Sequence, residues 1–400
     1  MTFSKADKSE SLHEAKLPRR DWILLPLLSF LTISFLAGSV ELIARRMFPQ
    51  SETLAEDCMV FSDPTTGPRG IPNSVCWEKI PEGELTENRF NSCGHRTGME
   101  CGRKPPGVYR IVMIGTSMAL GMRVPREKTF AALLPLELSR RTGNKIELYN
   151  EAIPYRTPDI WADHFDEVLK AQPDMVLWAL NPYDMSLHAP RVMLPRELNL
   201  SFRVRAWHHI KGTFAQRSFS ETIQYAFHHT RTAVLLLDAL YSDSRQFVKS
   251  SVAASDDNMG YLKDEPSWEW QERLKVLDED VAKIEAQTKA AGVPLVVVML
   301  PTHVQADMVT LGEWPEGLDP YKLGRELRSI VTNEGGMYID ILPDIRNKPS
   351  IQNGYYSLDP HANPLGNAIL SGAMAKELTS GVIPALSIAS PSKAVMEASQ

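Results

Sequence analysis

The chain has 400 residues, of which 43% are apolar and 23% charged, and its formal net charge is −6. That length admits one large domain or two small ones, and the apolar share is ordinary for a chain that buries a core. A net acidic balance argues against a dedicated nucleic-acid binder.

Residues 1–21 are polar and basic, with Lys5, Lys8, Lys16, Arg19 and Arg20. From Trp22 to Ala44 the chain is nearly all apolar, interrupted by small polar residues, Pro26 and Glu41. A helix over 22–44 would be about 34 Å long, enough to cross a hydrocarbon core. A cleaved signal peptide is the rival reading, because Leu36-Ala37-Gly38-Ser39 could serve a peptidase, but its apolar region would be shorter. The expectation is an uncleaved single-pass anchor in a bacterial-type inner membrane. The basic flank then puts the N-terminus in the cytoplasm and the remaining chain outside.

All four cysteines (Cys58, Cys76, Cys93 and Cys101) fall between the apolar run and the first strand. An even count confined to one extracytoplasmic segment suggests disulfides. Three connectivities are possible, and the sequential one, Cys58–Cys76 with Cys93–Cys101, is the working expectation. A zinc site fits less well, because no Cys-x-x-Cys pair exists and His95 is the only nearby imidazole.

Residues 45–108 are rich in Gly, Pro, Asn and Ser and read as an irregular stalk or cap. Tyr109 to Ile114 reads as a buried strand, turned by Gly115-Thr116-Ser117. Glu127 to Arg141 has helical spacing and ends at Gly143. Lys145 to Tyr149 alternates like a second strand and runs into Asn150 to Tyr155. Asp159 to Lys170 reads as a helix, and Asp174 to Leu180 as a third strand ending at Asn181. Residues 185–265 break the rhythm and read as a helical insertion, Ser220 to Tyr241 being its clearest piece. A helix over Glu269 to Ala291 precedes a fourth strand, Pro294 to Leu300. Tyr321 to Thr332 is helical, Met337 to Ile341 is a short fifth strand, and Pro364 to Leu378 is the last helix. The domain is expected to span 109–380, with 381–400 a loose tail. Strands alternating with helices imply a parallel sheet covered on both faces.

A strand that runs into a small-residue turn holding a serine is how an α/β fold exposes a nucleophile. Serine needs a base, and Asp359-Pro360-His361 supplies an imidazole with a carboxylate two residues before it, able to fix its tautomer. Both would sit at the sheet edge that carries Ser117. At this point the chain resembles the SGNH (GDSL) hydrolase superfamily. Its four blocks are met here by Gly115-Thr116-Ser117 with Gly121, by Asn150 to Tyr155, by Asn181, and by Asp359 with His361. The Asn-Ser-x-Gly-x-Arg stretch, Asn91 to Arg96, resembles the membrane-anchored branch.

The resemblance implies a three-layer α/β/α flavodoxin-like fold with a five-stranded parallel sheet and a Ser117, Asp359, His361 triad. It implies an oxyanion hole from the Ser117 N–H, the Tyr155 N–H and the Asn181 side chain. Strand order 2-1-3-4-5 would place Ser117 and Asn181 on one crevice. Three departures stand out: Thr116 for the family's Asp, Pro182 after Asn181, and Tyr155 where glycine is usual. The activity expected is an extracytoplasmic serine esterase or O-acyltransferase acting on O-acyl, especially O-acetyl, groups of a cell-surface or secreted glycan. No cofactor or metal is implied, and membrane-bound acyl-donor machinery would be a further partner. The non-enzymatic alternative is a degenerate domain serving as a glycan-binding or assembly scaffold.

Other readings carry less. The Ser, Asp, His order also fits an α/β-hydrolase, but Gly-Thr-Ser-Met-Ala lacks the second glycine of that elbow. Gly115 to Met122 matches neither nucleotide-binding fingerprint. The pairs His208-His209 and His228-His229 diverge on a helix and do not suggest a metal. Arg191, Arg196, Arg203, Arg205, Lys211 and Arg217 form a basic cluster, read as a packed amphipathic helix ahead of a membrane-surface or anionic-glycan contact. His303, after the fourth strand, is expected at most to contact substrate.

Overall fold

The computed structural model describes residues 18, 20–51, 53–63, 65–186, 230–254 and 257–388. The basic cluster at 191–217, both His-His pairs and residues 220–229 of the expected helix lie outside the described residues.

Among the described residues, nine strands form three sheets. Short hairpins pair β1 (Met59–Val60) with β2 (Arg69–Gly70) and β3 (Val75–Glu78) with β4 (Thr86–Arg89). The main sheet holds β5 (Tyr109–Gly115), β6 (Ile146–Asn150), β7 (Met175–Leu180), β8 (Leu295–Met299) and β9 (Met337–Ile339). All four pairings are parallel, and the order is β6-β5-β7-β8-β9. This is the 2-1-3-4-5 order, with β5 and β7 flanking the switch point, where α/β folds open a crevice at the strands' carboxyl ends.

Two apolar layers sandwich the sheet. On one face Ile111 and Met113 pack with Phe130, Leu134 and Leu138 of the helix Phe130–Thr142 and with Leu370 and Met374 of the helix Pro364–Glu377. On the other Val112 and Ile114 pack with Trp161, Phe165 and the long helix Trp268–Ala291 through Leu277, Val281 and Ile284. Burial on both faces is why β7 and β8 read as unbroken apolar runs instead of alternating ones. The three-layer α/β/α architecture is therefore present.

Several boundaries differ from expectation. The helix expected over 159–170 is two short ones, Pro158–Asp163 and Phe165–Lys170, broken at His164. The end of the chain is not loose from 381, because Ile383 and Leu386 are buried in the core. Nor are residues 53–108 an irregular appendage: Ala55, Cys58, Met59 and Phe90 belong to the same apolar cluster as the sheet. Cys58 is joined to Cys76 and Cys93 to Cys101.

The apolar helix runs from Asp21 to Met47, 27 residues, and is long and apolar enough to cross a membrane. Its Glu41 accepts hydrogen bonds from the Arg231 and Thr232 amides, each at 2.9 Å, and so caps the helix Arg231–Tyr241.

Candidate active site

β5 ends in Gly115, whose φ is +152°; a Cβ there would lie 2.5 Å from the Ala179 carbonyl oxygen. The close approach of β7 requires glycine. Ser117 then opens a four-residue helix, Ser117–Leu120, closed by Gly121 at φ +75°, where a Cβ would press on Thr129 Cγ2 at 2.4 Å. Two side chains brace this turn. Arg96, buried, donates to the carbonyls of Leu120 (3.1 Å), Gly121 (3.0 Å) and Val124 (2.7 Å), and burial lowers its pKa to about 10. Asn150, buried, donates to Ala119 O at 3.1 Å and accepts from the Ala152 amide at 3.1 Å. Asn91 is an internal knot, donating to Met99 O and Tyr149 Oη and accepting from the amides of Cys93 and His95.

The end of β7 is organised by a carboxylate. Asp184, 2% exposed, accepts from the Thr116 hydroxyl through one oxygen and from the Asn181 amide, at 2.9 Å, through the other. It ties the ends of β5 and β7 across the crevice. Thr116 is thus the donor to a carboxylate supplied from the neighbouring strand end. Pro182 is equally well placed, as the first residue of the turn Pro182–Ser186, where a missing N–H costs nothing. The Asn181 side chain accepts from the Tyr183 amide at 3.1 Å and donates one N–H to Leu300 O at 3.1 Å. That pins the amide, and its second N–H remains a donor for the cavity that Asn181 lines.

His361 lies in the loop before the helix Pro364–Glu377, which Asn363 caps through the Leu365 amide at 2.9 Å and the Gly366 amide at 3.2 Å. Its Nδ1 meets Asp359 Oδ1 at 2.5 Å, and its backbone N–H donates to the same oxygen at 3.0 Å. Burial raises the Asp359 pKa, but the hydrogen bond from His361 and the His361 and Arg123 charges outweigh it, and the net shift is downward. An ionised carboxylate only accepts, so Nδ1 carries a proton toward Asp359, which leaves Nε2 as the acceptor of the neutral tautomer.

Ser117, Tyr155, Asn181, Asp359 and His361 line one cavity of about 360 Å³. Tyr155 holds φ +63°, the left-handed conformation that glycine adopts freely, so the chain makes the glycine-type turn with a side chain attached. Its ring meets Phe61 edge-on at 5.4 Å.

His303 is not among the residues lining this cavity. It begins the helix His303–Leu311, stacked between Phe247 (centroids 3.9 Å) and Tyr355 (5.0 Å), with Nε2 3.4 Å from Asp307 Oδ2. A substrate-contact role is corrected to a packing one. Conversely, Arg123, Glu56 and Asp184 line the cavity, none of which the sequence had marked. Only Asp184, three residues after Asn181, carried a usable signal.

Strand order, the serine at the end of β5 and the Asp-x-His loop across the same crevice now stand together. The fold is a three-layer α/β/α one of flavodoxin-like strand order. No family model matches the chain, and no curated protein does. Among solved structures, an alignment over 68% of this chain and 96% of the other is found with a psychrotrophic esterase from Pseudoalteromonas sp., at 11% identity and TM-score 0.35. An acetylxylan esterase from Geobacillus stearothermophilus aligns at 13% identity, TM-score 0.35, over 68% and 94% of the two chains. A lipase/acylhydrolase from Enterococcus faecalis aligns at 14%, TM-score 0.34, over 67% and 94%. Likeness of this degree carries no argument, and the description of the fold rests on the chain's own topology.

Proposed function

We propose that this chain is a membrane-anchored, extracytoplasmic serine esterase or O-acyltransferase that acts on O-acyl, especially O-acetyl, groups of a cell-surface or secreted glycan. The observation that carries the catalytic part is the Asp359–His361 pair at 2.5 Å opening onto the cavity that Ser117 lines. His361 Nε2 takes the Ser117 proton as Oγ attacks the ester carbonyl. The carbonyl oxygen gains charge and is met by N–H donors, for which Ser117 N, Tyr155 N and the Asn181 amide are assigned. The imidazolium then protonates the leaving alkoxide. The acyl-serine is resolved by water in an esterase, or by a sugar hydroxyl in a transferase that works with membrane-bound acyl-donor machinery.

The apolar helix with its basic flank and the two disulfides just beyond it support the location. An O-acylated glycan is the ester-bearing polymer that such a surface enzyme would meet. A fluorophosphonate probe should label wild type at Ser117 and leave Ser117→Ala unlabelled; an unlabelled wild type would turn the reading to the degenerate scaffold, which the Tyr155 ring in the cavity favours. Asn181→Ala should lower kcat about 10²–10³-fold with little change in KM. A reporter fused after Gln400 should be active only outside the cytoplasm, and cytoplasmic activity would remove the topology.

A further inference from the structure

The Asp359 carboxylate has two oxygens, and His361 uses only one. Its Oδ2 meets Arg123 Nε at 3.3 Å. Arg123 reaches two further carboxylates, Glu56 Oε1 at 3.3 Å through Nη2 and Glu78 Oε2 through Nη1. Both ends of its backbone are held too: its amide donates to Glu78 Oε1 at 3.3 Å, and its carbonyl accepts from the Tyr356 hydroxyl at 3.0 Å. Arg123 sits at φ +67°, a left-handed conformation that a residue with a Cβ rarely adopts. Such strain persists only where the surroundings over-determine it.

Glu78 is 1% exposed and is itself fixed by Asn88 Nδ2, which donates to Oε1 at 2.9 Å. Glu56 lies in the turn Ala55–Cys58, and Glu78 ends the strand that contains Cys76. The Cys58–Cys76 disulfide therefore staples together the two backbone pieces that supply Arg123 with carboxylates.

We propose that Arg123 is a positioning residue that fixes the plane of the Asp359 carboxylate, and that the segment closed by Cys58–Cys76 holds Arg123 to that task. The proposal rests on the triad reading above. The torsion that turns an aspartate's carboxylate is broad, so two hydrogen bonds from His361 to a single oxygen still leave the plane free to rock. A contact on the other oxygen removes that freedom and with it the imidazole's. Nitrogen-rich Arg suits the role because its planar fork serves three carboxylates at once, which a lysine's point charge does not. The residues of 53–91 thereby become part of the catalytic apparatus.

The test uses the full chain in detergent with p-nitrophenyl acetate as substrate. Arg123→Gln should lower kcat about 10–100-fold while KM moves less than about twofold, the split expected when geometry and not binding is lost. Arg123→Lys should recover part of that loss, and Cys58→Ser with Cys76→Ser should lower kcat in the same direction by a smaller factor. If Arg123→Gln does not fold, Glu56→Gln, which leaves the buried Glu78 paired, decides by the same kcat and KM comparison. Wild-type kcat in the folded Gln variant, or an equal change in KM, would overturn the proposal alone. A wild type that neither turns over the ester nor takes a fluorophosphonate label would overturn the triad reading and this proposal with it.

Discussion

Two histidines among the described residues, His361 and His303, each stand beside an aspartate, and the two pairs differ in their access to a cavity. His361 and Asp359 are two residues apart, 2.5 Å between Nδ1 and Oδ1, and they open onto a cavity shared with a serine. His303 and Asp307 are a helical turn apart, 3.4 Å between Nε2 and Oδ2, sealed between Phe247 and Tyr355. Around Asp359 stand the His361 ring and Arg123, and its pKa falls despite burial. Around Asp307 burial dominates, its pKa rises to about 7, and burial drops that of His303 to about 4. Burial suppresses either charge, so the second pair is held neutral. A carboxylate next to an imidazole makes a base only where a nearby cation keeps the carboxylate ionised and a cavity gives the ring access.

The contrast can be broken most forcibly at His361. His361→Ala should cut kcat for ester turnover about 10⁴-fold or more, and adding Ser117→Ala should cost little beyond that, because the two act as a unit. An active His361→Ala enzyme would erase the distinction between the pairs. His303→Ala should do the reverse: kcat stays near wild type while unfolding stability drops by about 3 kcal/mol, as for loss of a buried aromatic ring. Chemical denaturation with parallel ester assays separates the two.

A subtler change is Asp307→Asn. The folded protein keeps a proton on Asp307 that the unfolded chain loses above its ordinary 3.8, so this group withdraws stability as pH rises from about 4 to about 7. His303 acts oppositely, because the unfolded chain takes up a proton at 6.5 that the folded one refuses until about 4, so its contribution grows as pH rises through that window. The asparagine variant keeps only the histidine slope. The difference in Tm should therefore move in favour of Asp307→Asn as pH goes from 4 to 7; a constant difference would show that Asp307 is not buried as a neutral acid. Smallest of all is Phe247→Ala, which uncovers one face of His303. The His303 pKa, followed by NMR, should climb toward its ordinary value, without restoring turnover to His361→Ala.

The sheet was legible because its physics is local. Buried parallel strands read as apolar runs, and the helices Pro364–Glu377 and Trp268–Ala291 carry Asn and Ser caps that mark their starts. The Ser117 turn and the Asp359-Pro360-His361 loop were legible as neighbours because both were expected at the carboxyl edge of the sheet, and both line one cavity. Arg123 and Glu78 were not, since their meaning lies in ion pairs spanning 236 and 45 residues. His303 differs for the opposite reason: position after a strand suggests the crevice, whereas Phe247, from the helix Ser244–Ala254 of the insertion, covers it. The packed segment 53–108 was hidden by composition, because its Gly, Pro and Asn residues serve hairpins and turns that ion pairs and disulfides hold.

Order of synthesis gives the ion pairs at Asp359 a meaning in time. The serine and Arg123 emerge from the ribosome early, and Glu78 and Glu82 earlier still, yet Arg123 waits 236 residues for Asp359, and Glu82 waits 276 for the Leu358 amide it accepts at 3.0 Å. Until those last residues arrive, Ser117 lacks the imidazole proposed as its base, Arg123 lacks Asp359, and Glu82 lacks the Leu358 amide. On the triad reading, a chain that stops before Asp359 should not turn over esters. The proposed site is complete only when the segment 358–361 docks against the segment that holds Ser117 and Arg123.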